Sequence, residues 1–168
     1  IASVVGFPST SYTRIKSYEV EWAIKHGATE IDMVLNYEQL KQGKIEDVTL
    51  DIRKIHDYVY SLKCILKLIL ETSELNNDQI AQACTIAKTE GINVDFVKTS
   101  TGYTHQGATS EALRIMKENF SKGIKISGGV NKENYKELLY AASGRDDGLI
   151  DLRPNKIRIG ASSLLNQL

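Results

Sequence analysis

The sequence lacks both an excess of charge of either sign and a long apolar run. Its 168 residues contain 21 Lys and Arg and 21 Asp and Glu, so the formal net charge is zero. Proteins that bind duplex nucleic acid carry a basic surface, so this balance argues against a nucleic-acid partner. The longest apolar stretch, Cys64–Leu70, is interrupted by Lys67 and falls short of the roughly 18 residues of a membrane span. We therefore expect neither a nucleic acid nor a membrane as partner.

Cysteine and histidine are also scarce. The two cysteines, Cys64 and Cys84, have no CxxC spacing, and the three histidines lie in different predicted elements. A disulfide scaffold needs a far denser set of cysteines, and a zinc site needs His or Cys partners close by. We therefore expect reduced core cysteines in a cytoplasmic protein, and no metal site.

Apolar runs alternate six times with amphipathic stretches. We predict strands at Ile1–Phe7, Glu30–Asn36, Lys63–Glu71, Asp95–Thr101, Ile124–Gly129 and Lys156–Ser162. We predict helices at Ser17–His26, Ile45–Ser61, Asn77–Glu90, Ser110–Phe120 and Lys132–Ala142, and a short helix from Ser163. Strands that are apolar along nearly their whole length are typical of a parallel sheet covered on both faces.

Two architectures contain such repeated units: an open doubly wound sheet and a closed (β/α)8 barrel. The first strand leads into Gly6-Phe7-Pro8-Ser9 rather than the GxGxxG turn of a dinucleotide-binding sheet. Polar residues follow the strands, where a barrel has its active site. We therefore predict an α/β fold, a TIM barrel in a single domain over residues 1–168. Since a barrel has eight strands in about 250 residues, we expect two N-terminal strands to be absent from this sequence and about six βα units to be present.

Charged residues lie inside several of the predicted apolar strands, and three of them are the main candidates for catalysis. Lys98 lies in DFVKTST, Lys125 takes the equivalent place in the next strand, and Asp32 lies in EIDMV. A buried amine beside a second ammonium group resists protonation, so the pKa of Lys98 should fall and make it a nucleophile. A buried carboxylate needs a partner, which either lysine could be, and Asp32 would then hold and transfer a proton. The alternatives are lysines that reach solvent at the strand ends and a purely structural salt bridge.

Other polar residues are open to two interpretations. Lys67, mid-strand with Glu71 at the strand's end, belongs either to the same charge cluster or to a structural ion pair. Gly128-Gly129 and Gly160-Ala161-Ser162-Ser163 follow the last two strands, where barrels commonly bind phosphate through backbone N–H groups. Glycine pairs alone also occur in plain turns.

The remaining candidates are aromatic or basic. Tyr103 either borders the phosphate or packs, and Tyr18 and Trp22 are expected in the core or an interface. Arg14 and Lys16 are expected on the solvated surface.

Five segments stand out together in order along nearly the whole chain: EIDMVLN around Asp32, LKLILET around Lys67, DFVKTSTG around Lys98, GIKISGGV around Lys125, and IRIGASSLL near the end. They resemble the deoxyribose-phosphate aldolases, a family of class I aldolases. The chain departs from that family at Ile126-Ser127, where the family often has Pro-Ala, and at Tyr103, where some members have Lys.

The resemblance implies a (β/α)8 barrel that reversibly cleaves 2-deoxy-D-ribose 5-phosphate into D-glyceraldehyde 3-phosphate and acetaldehyde, in deoxyribose phosphate catabolism. It implies a Schiff base on Lys98, a second lysine, Lys125, that perturbs it, and Asp32 as the acid of the proton relay. The positions that match the family's phosphate site are Gly102, Gly128, Gly129, Ser162 and Ser163. No cofactor is implied. The partners are then a small phosphosugar and an aldehyde, with a homodimer as the assembly to test.

Two other functions stay open. One is another phosphate-binding barrel enzyme, either a Schiff-base lyase or an isomerase, and an isomerase would favour a glutamate base. The other is an inactive fragment whose open barrel edges pair with another chain.

Overall fold

The computed structural model describes residues 1–145 and 147–161. The elements are β1 Ala2–Val5, α1 Thr13–Lys25, β2 Glu30–Val34, α2 Tyr37–Lys41, α3 Ile45–Ser61, β3 Ile65–Ile69, a 3-10 turn Thr72–Glu74, α4 Asn77–Ile86, β4 Phe96–Lys98, α5 Ser110–Asn119, β5 Gly123–Ser127, α6 Tyr135–Ser143 and β6 Ile157–Gly160. In this part of the chain no helix has the length and apolarity needed to cross a membrane. The helix expected from Ser163 lies outside the described residues.

The strands form one parallel sheet in the order β1-β2-β3-β4-β5-β6, as the repeated strand–helix pattern predicts. The sheet is strongly curved. In a flat sheet β2 and β6 would lie about 19 Å apart, farther than two side chains can span. Yet Arg158 of β6 contacts Glu30 of β2, with Nη1 to Oε2 at 2.6 Å. The sheet therefore curls around an interior, and its six consecutive parallel strands, with helices between them, confirm the predicted barrel architecture.

The core lies between the outer face of the sheet and the helices. Ile31, Leu66, Leu68 and Val97 are buried there with the apolar faces of the helices. Successive strand residues point to opposite faces, so each inserted charge between these apolar residues points inward. Registers pair Asp32 with Lys67, and Lys98 with Lys125. The charged inner face and the apolar outer face of the sheet thus both follow from the alternation of side chains along each strand.

Several element boundaries differ from those predicted. The α2 helix is not predicted from the sequence because its five residues are too few to show a repeated apolar spacing. Asn36 caps this helix by accepting a hydrogen bond from Gln39 N. The last helix begins at Tyr135 rather than Lys132, because Asn131 Oδ1 accepts from the backbone N–H groups of residues 133 and 134. The α3 helix has the predicted bounds.

The expectation of a solvated Lys16 is wrong. The α1 helix begins at Thr13, before the predicted Ser17, and buries Lys16 completely. Lys16 Nζ donates to Asp51 Oδ2 at 2.6 Å and to Val34 O at 3.0 Å, and Thr13 Oγ1 donates to Asp51 Oδ1 at 2.6 Å. This ion pair joins α1, α3 and the end of β2.

On the opposite face of α1, Tyr18 and Trp22 are exposed, so neither is a core residue. Trp22 stacks on His26 with ring centroids 4.0 Å apart. The alternative role of these two aromatics, at an interface, stays a prediction.

We predict that Lys16→Met lowers the free energy of unfolding by about 3 kcal/mol, because it leaves the Asp51 carboxylate buried without its cation. Lys25→Met is the matched control, since Lys25 forms an exposed pair with Glu21 at 2.7 Å, and it should change stability by less than about 0.5 kcal/mol. Urea unfolding monitored by circular dichroism measures both. Equal losses in the two variants would contradict a structural role for the buried pair.

Candidate active site

The inner face of the sheet brings three lysines to one carboxylate. Lys67 Nζ lies 2.7 Å from Asp32 Oδ1, while Lys98 Nζ and Lys125 Nζ lie 3.0 and 2.7 Å from Oδ2. These side chains come from β2, β3, β4 and β5. The structure therefore places Lys98, Lys125 and Asp32 together on one side of the sheet, where the sequence analysis expects them.

Burial and like charges act together on this cluster. The Asp32, Lys67 and Lys98 side chains are buried, and Lys125 is slightly more open. Burial lowers the pKa of Lys98 below its ordinary value, the carboxylate of Asp32 opposes this, and the ammonium of Lys125 adds to it. Burial alone would raise the pKa of Asp32, but the charges and hydrogen bonds of Lys98, Lys125 and Lys67 lower it to about 2. Asp32 is thus an anion at neutral pH, beside an amine that loses its proton more readily than an ordinary lysine does.

The structure also resolves the partner of Lys67. Its second carboxylate contact is Glu30 Oε2 at 2.5 Å, and Glu30 in turn pairs with Arg158. Of the two interpretations, Lys67 belongs to the charge cluster around Asp32. Glu71, the other candidate partner, points toward a different segment.

Glu71 organises the loop that follows β4. Glu71 is fully buried, and its backbone has a positive φ of 56°. The carboxylate accepts hydrogen bonds from Thr101 Oγ1 at 2.5 Å, Thr101 N at 3.2 Å and Thr104 Oγ1 at 3.0 Å. Sequence reasoning missed this role, although a glutamate that ends an apolar strand next to a Thr-rich loop is a signal that could have indicated it.

A second set of contacts joins the ends of β4 and β5 beyond the two lysines. Thr99 Oγ1 donates to Ser127 O at 2.8 Å and accepts from Ser127 N at 3.0 Å, and Ser127 Oγ donates to Ser100 O at 2.5 Å. These bonds lie just beyond the end of β4, which is at Lys98 rather than at the predicted Thr101. They hold the backbones that carry Lys98 and Lys125 in register.

A cavity of about 320 Å³ opens above the lysines. The predicted phosphate residues Gly102, Gly128 and Gly129 line it together with Lys98 and Lys125, and all three glycines have positive φ. Such turns expose backbone N–H groups to an anion. The other two predicted phosphate residues, Ser162 and Ser163, lie outside the described residues.

Tyr103 stands at the rim rather than in the cavity. It is exposed, and its ring lies 5.5 Å from that of Phe7 in the loop after β1. Of its two predicted roles, the contact with Phe7 supports packing, and Tyr103 does not line the cavity above the lysines. Within residues 1–145 and 147–161, no three His, Cys, Asp or Glu side chains form a group that could hold a metal ion.

A family model and curated relatives place the chain in a family of aldolases. A family model described as DeoC/LacD family aldolase matches residues 1–168. A deoxyribose-phosphate aldolase from Mycoplasmopsis pulmonis is 42% identical over 149 residues, covering 86% of this chain and 66% of that protein. A deoxyribose-phosphate aldolase 1 from Cutibacterium acnes is 39% identical over 166 residues, covering 97% of this chain and 69% of that protein.

Among solved structures, the crystal structure of a candidate deoxyribose-phosphate aldolase from Coccidioides immitis superimposes with a TM-score of 0.81 at 32% identity. The match covers 99% of this chain and 63% of that one. The chain thus spans about two thirds of the length of the relatives that it matches.

We predict that Asp32→Asn lowers the free energy of unfolding at neutral pH, and that this loss becomes smaller as the pH falls. The lowered pKa of about 2 means that ionised Asp32 stabilises the fold above its ordinary pKa, and that this stabilisation is lost as the pH falls toward 2. The difference in the free energy of unfolding should therefore shrink by about 2 kcal/mol between pH 5 and pH 2. Urea unfolding across this range measures it, with the exposed Glu133→Gln as control. A difference that is constant with pH would contradict the ion cluster.

Proposed function

The chain belongs to the DeoC/LacD family of aldolases, and we propose that it carries the active site of a lyase that reversibly cleaves 2-deoxy-D-ribose 5-phosphate. The products are D-glyceraldehyde 3-phosphate and acetaldehyde. The observation that supports this most is the buried Lys98 amine beside Lys125 on a shared carboxylate, at the base of a glycine-lined cavity. The proposed reaction needs only the side chains of the protein and water.

The reaction begins at Lys98. Its neutral amine adds to the C1 aldehyde of the open-chain sugar, and loss of water gives an iminium ion. Burial and the neighbouring Lys125 both favour the neutral amine. Asp32 holds Lys125 beside this amine, with Lys125 Nζ at 2.7 Å from Oδ2, so Lys125 can supply the proton with which the hydroxyl of the adduct leaves as water.

The iminium ion then accepts the electrons of the C2–C3 bond. The C3 hydroxyl passes its proton through a water molecule to Lys125, which gave up a proton when water left the adduct. C3 becomes the aldehyde of glyceraldehyde 3-phosphate, and C2 becomes the nucleophilic carbon of an enamine. Protonation of C2 and addition of water to the imine release acetaldehyde and regenerate Lys98. With its low pKa, Asp32 accepts hydrogen bonds in these steps rather than storing the proton itself.

The phosphate end of the substrate accounts for the cavity above the lysines. Backbone N–H groups in the turns at Gly102, Gly128 and Gly129 are suited to an anion, and binding there aligns the reacting carbon with Lys98. Ser162 and Ser163 complete this proposed phosphate site. Cytoplasmic location, a catabolic role and a homodimer are further parts of the proposal.

An isomerase is the weaker alternative. Such an enzyme needs a carboxylate base that faces the substrate. The buried Glu71 carboxylate is occupied by Thr101 and Thr104, and Glu30 is occupied by Lys67 and Arg158. Among the described residues, neither glutamate is free to remove a carbon-bound proton.

We predict that borohydride in the presence of acetaldehyde reduces an imine onto Lys98, seen as an N-ethyl adduct in peptide mass spectrometry. Lys98→Leu should remove that adduct and lower turnover of 2-deoxyribose 5-phosphate by roughly 10³-fold or more. The exposed Lys88→Leu is the control and should keep both. An adduct chiefly on another residue, or turnover retained by Lys98→Leu, would overturn the assignment.

We predict that inorganic phosphate competes for the glycine-lined cavity. It should raise the KM for 2-deoxyribose 5-phosphate without changing kcat, and leave the reaction of unphosphorylated 2-deoxyribose unaffected. Steady-state kinetics with chloride at equal ionic strength as control measures this. Equal inhibition of both sugars would contradict a phosphate site in the cavity.

A further inference from the structure

A layer of side chains lies beneath the catalytic cluster at the other end of the barrel interior. Arg158 forms its centre: Nη1 lies 2.8 and 2.6 Å from Glu30 Oε1 and Oε2, and Nε donates to Pro154 O at 3.0 Å. The guanidinium also stacks over the Phe96 ring, 4.5 Å from its centroid. The guanidinium is thus held by contacts of three kinds.

The sequence makes room for this layer at Gly123. A Cβ atom there would lie 2.3 Å from the Phe96 ring, so only glycine lets that ring lie across β5 beneath Arg158. The ring cannot move aside without losing the arginine that covers it.

The layer continues upward to the reacting amine. Glu30, anchored by Arg158, accepts from Lys67 at 2.5 Å, and Lys67 donates to Asp32 Oδ1 at 2.7 Å. Since Lys67 occupies Oδ1, only Oδ2 is left to Lys98 and Lys125. Charges of alternating sign thus run from the floor of the barrel to the nucleophile.

The balance of charge in this chain is uneven. Two carboxylates, Asp32 and Glu30, face four cationic groups, Arg158 of β6 and Lys67, Lys98 and Lys125. Glu71, at the end of β3, is engaged by the threonines of its loop. Full protonation would leave two uncompensated positive charges, which favours release of one proton.

We propose that Arg158 and Glu30 are positioning residues: Arg158 anchors Glu30, Glu30 shares Lys67 with Asp32, and this sharing sets how firmly Asp32 holds the amine of Lys98. The proposal rests on the proposed function, in which that amine is the nucleophile. Neither residue touches the substrate cavity, and neither belongs to the site derived from the sequence.

The two residues should act in opposite directions. Without Arg158, Glu30 attracts Lys67 more strongly and one positive charge is gone, so Asp32 binds Lys98 more firmly. Lys98 should then lose its proton at higher pH. With Glu30→Gln the interior loses a negative charge, and Lys67 relies on Asp32 alone, so Lys98 should lose its proton at lower pH.

The test measures the Lys98 amine directly by labelling with trace acetic anhydride at a series of pH values and quantifying the peptide by mass spectrometry. We expect the midpoint of labelling to rise by about 0.5 to 1 pH unit in Arg158→Met and to fall by a similar amount in Glu30→Gln. Arg158→Lys keeps the charge but lacks the planar guanidinium that lies over Phe96, so its midpoint should be intermediate. Arg153→Met is the matched control, because Arg153 pairs with Asp151 away from Asp32, with Nη2 to Oδ2 at 2.6 Å.

The readout separates the possible failures. A structural role alone would lower the folded fraction without moving the midpoint, and unmoved midpoints in both variants would overturn the proposal. Shifts as large in Arg153→Met would also overturn it. If the midpoints move as expected while acetaldehyde and borohydride give no adduct on Lys98, the positioning stands and the proposed function fails.

Discussion

The structure depends on one carboxylate that is shared by three lysines, two of them buried and the third, Lys125, partly buried. Asp32 divides its two oxygens among Lys67, Lys98 and Lys125 at 2.7 to 3.0 Å. Removing charges from water is costly, and the two carboxylates of this interior, Asp32 and Glu30, cannot compensate its four cations in a medium of low dielectric constant. Release of a proton from one of the lysines reduces this excess of positive charge. The excess positive charge that destabilises the fold therefore also favours the neutral amine that Schiff-base chemistry requires.

Two geometric constraints create this arrangement. Alternation along each strand turns Asp32, Lys67, Lys98 and Lys125 inward and the intervening aliphatic residues outward, and the curvature of the sheet brings β2 and β5 within reach of each other. Contacts at both ends of the strands then fix the lysines. The Thr99–Ser127 bonds hold the upper end, and the Arg158–Glu30 pair holds the lower one.

Much of this could be predicted from the sequence because the information is local. A lysine between valine and threonine in an apolar strand indicates a buried amine whatever the distant partners are. Long-range pairs carry no such signal. Arg158 meets Glu30 from 128 residues away, and Lys16 meets Asp51 from 35 residues away. Both pairs need the curved sheet or the helix packing to exist first. The sequence therefore gives a wrong prediction for Lys16 and no prediction for Arg158.

The central claim is that burial and its neighbours leave the Lys98 amine poorly able to hold a proton while Asp32 is ionised. Nuclear magnetic resonance titration of the chain with ¹³Cε-labelled lysines, assigned with Lys98→Met, follows that amine without any substrate. We predict that its signal titrates below the ordinary lysine pKa and apart from those of exposed lysines. A Lys98 signal that titrates together with the exposed lysines would contradict the account.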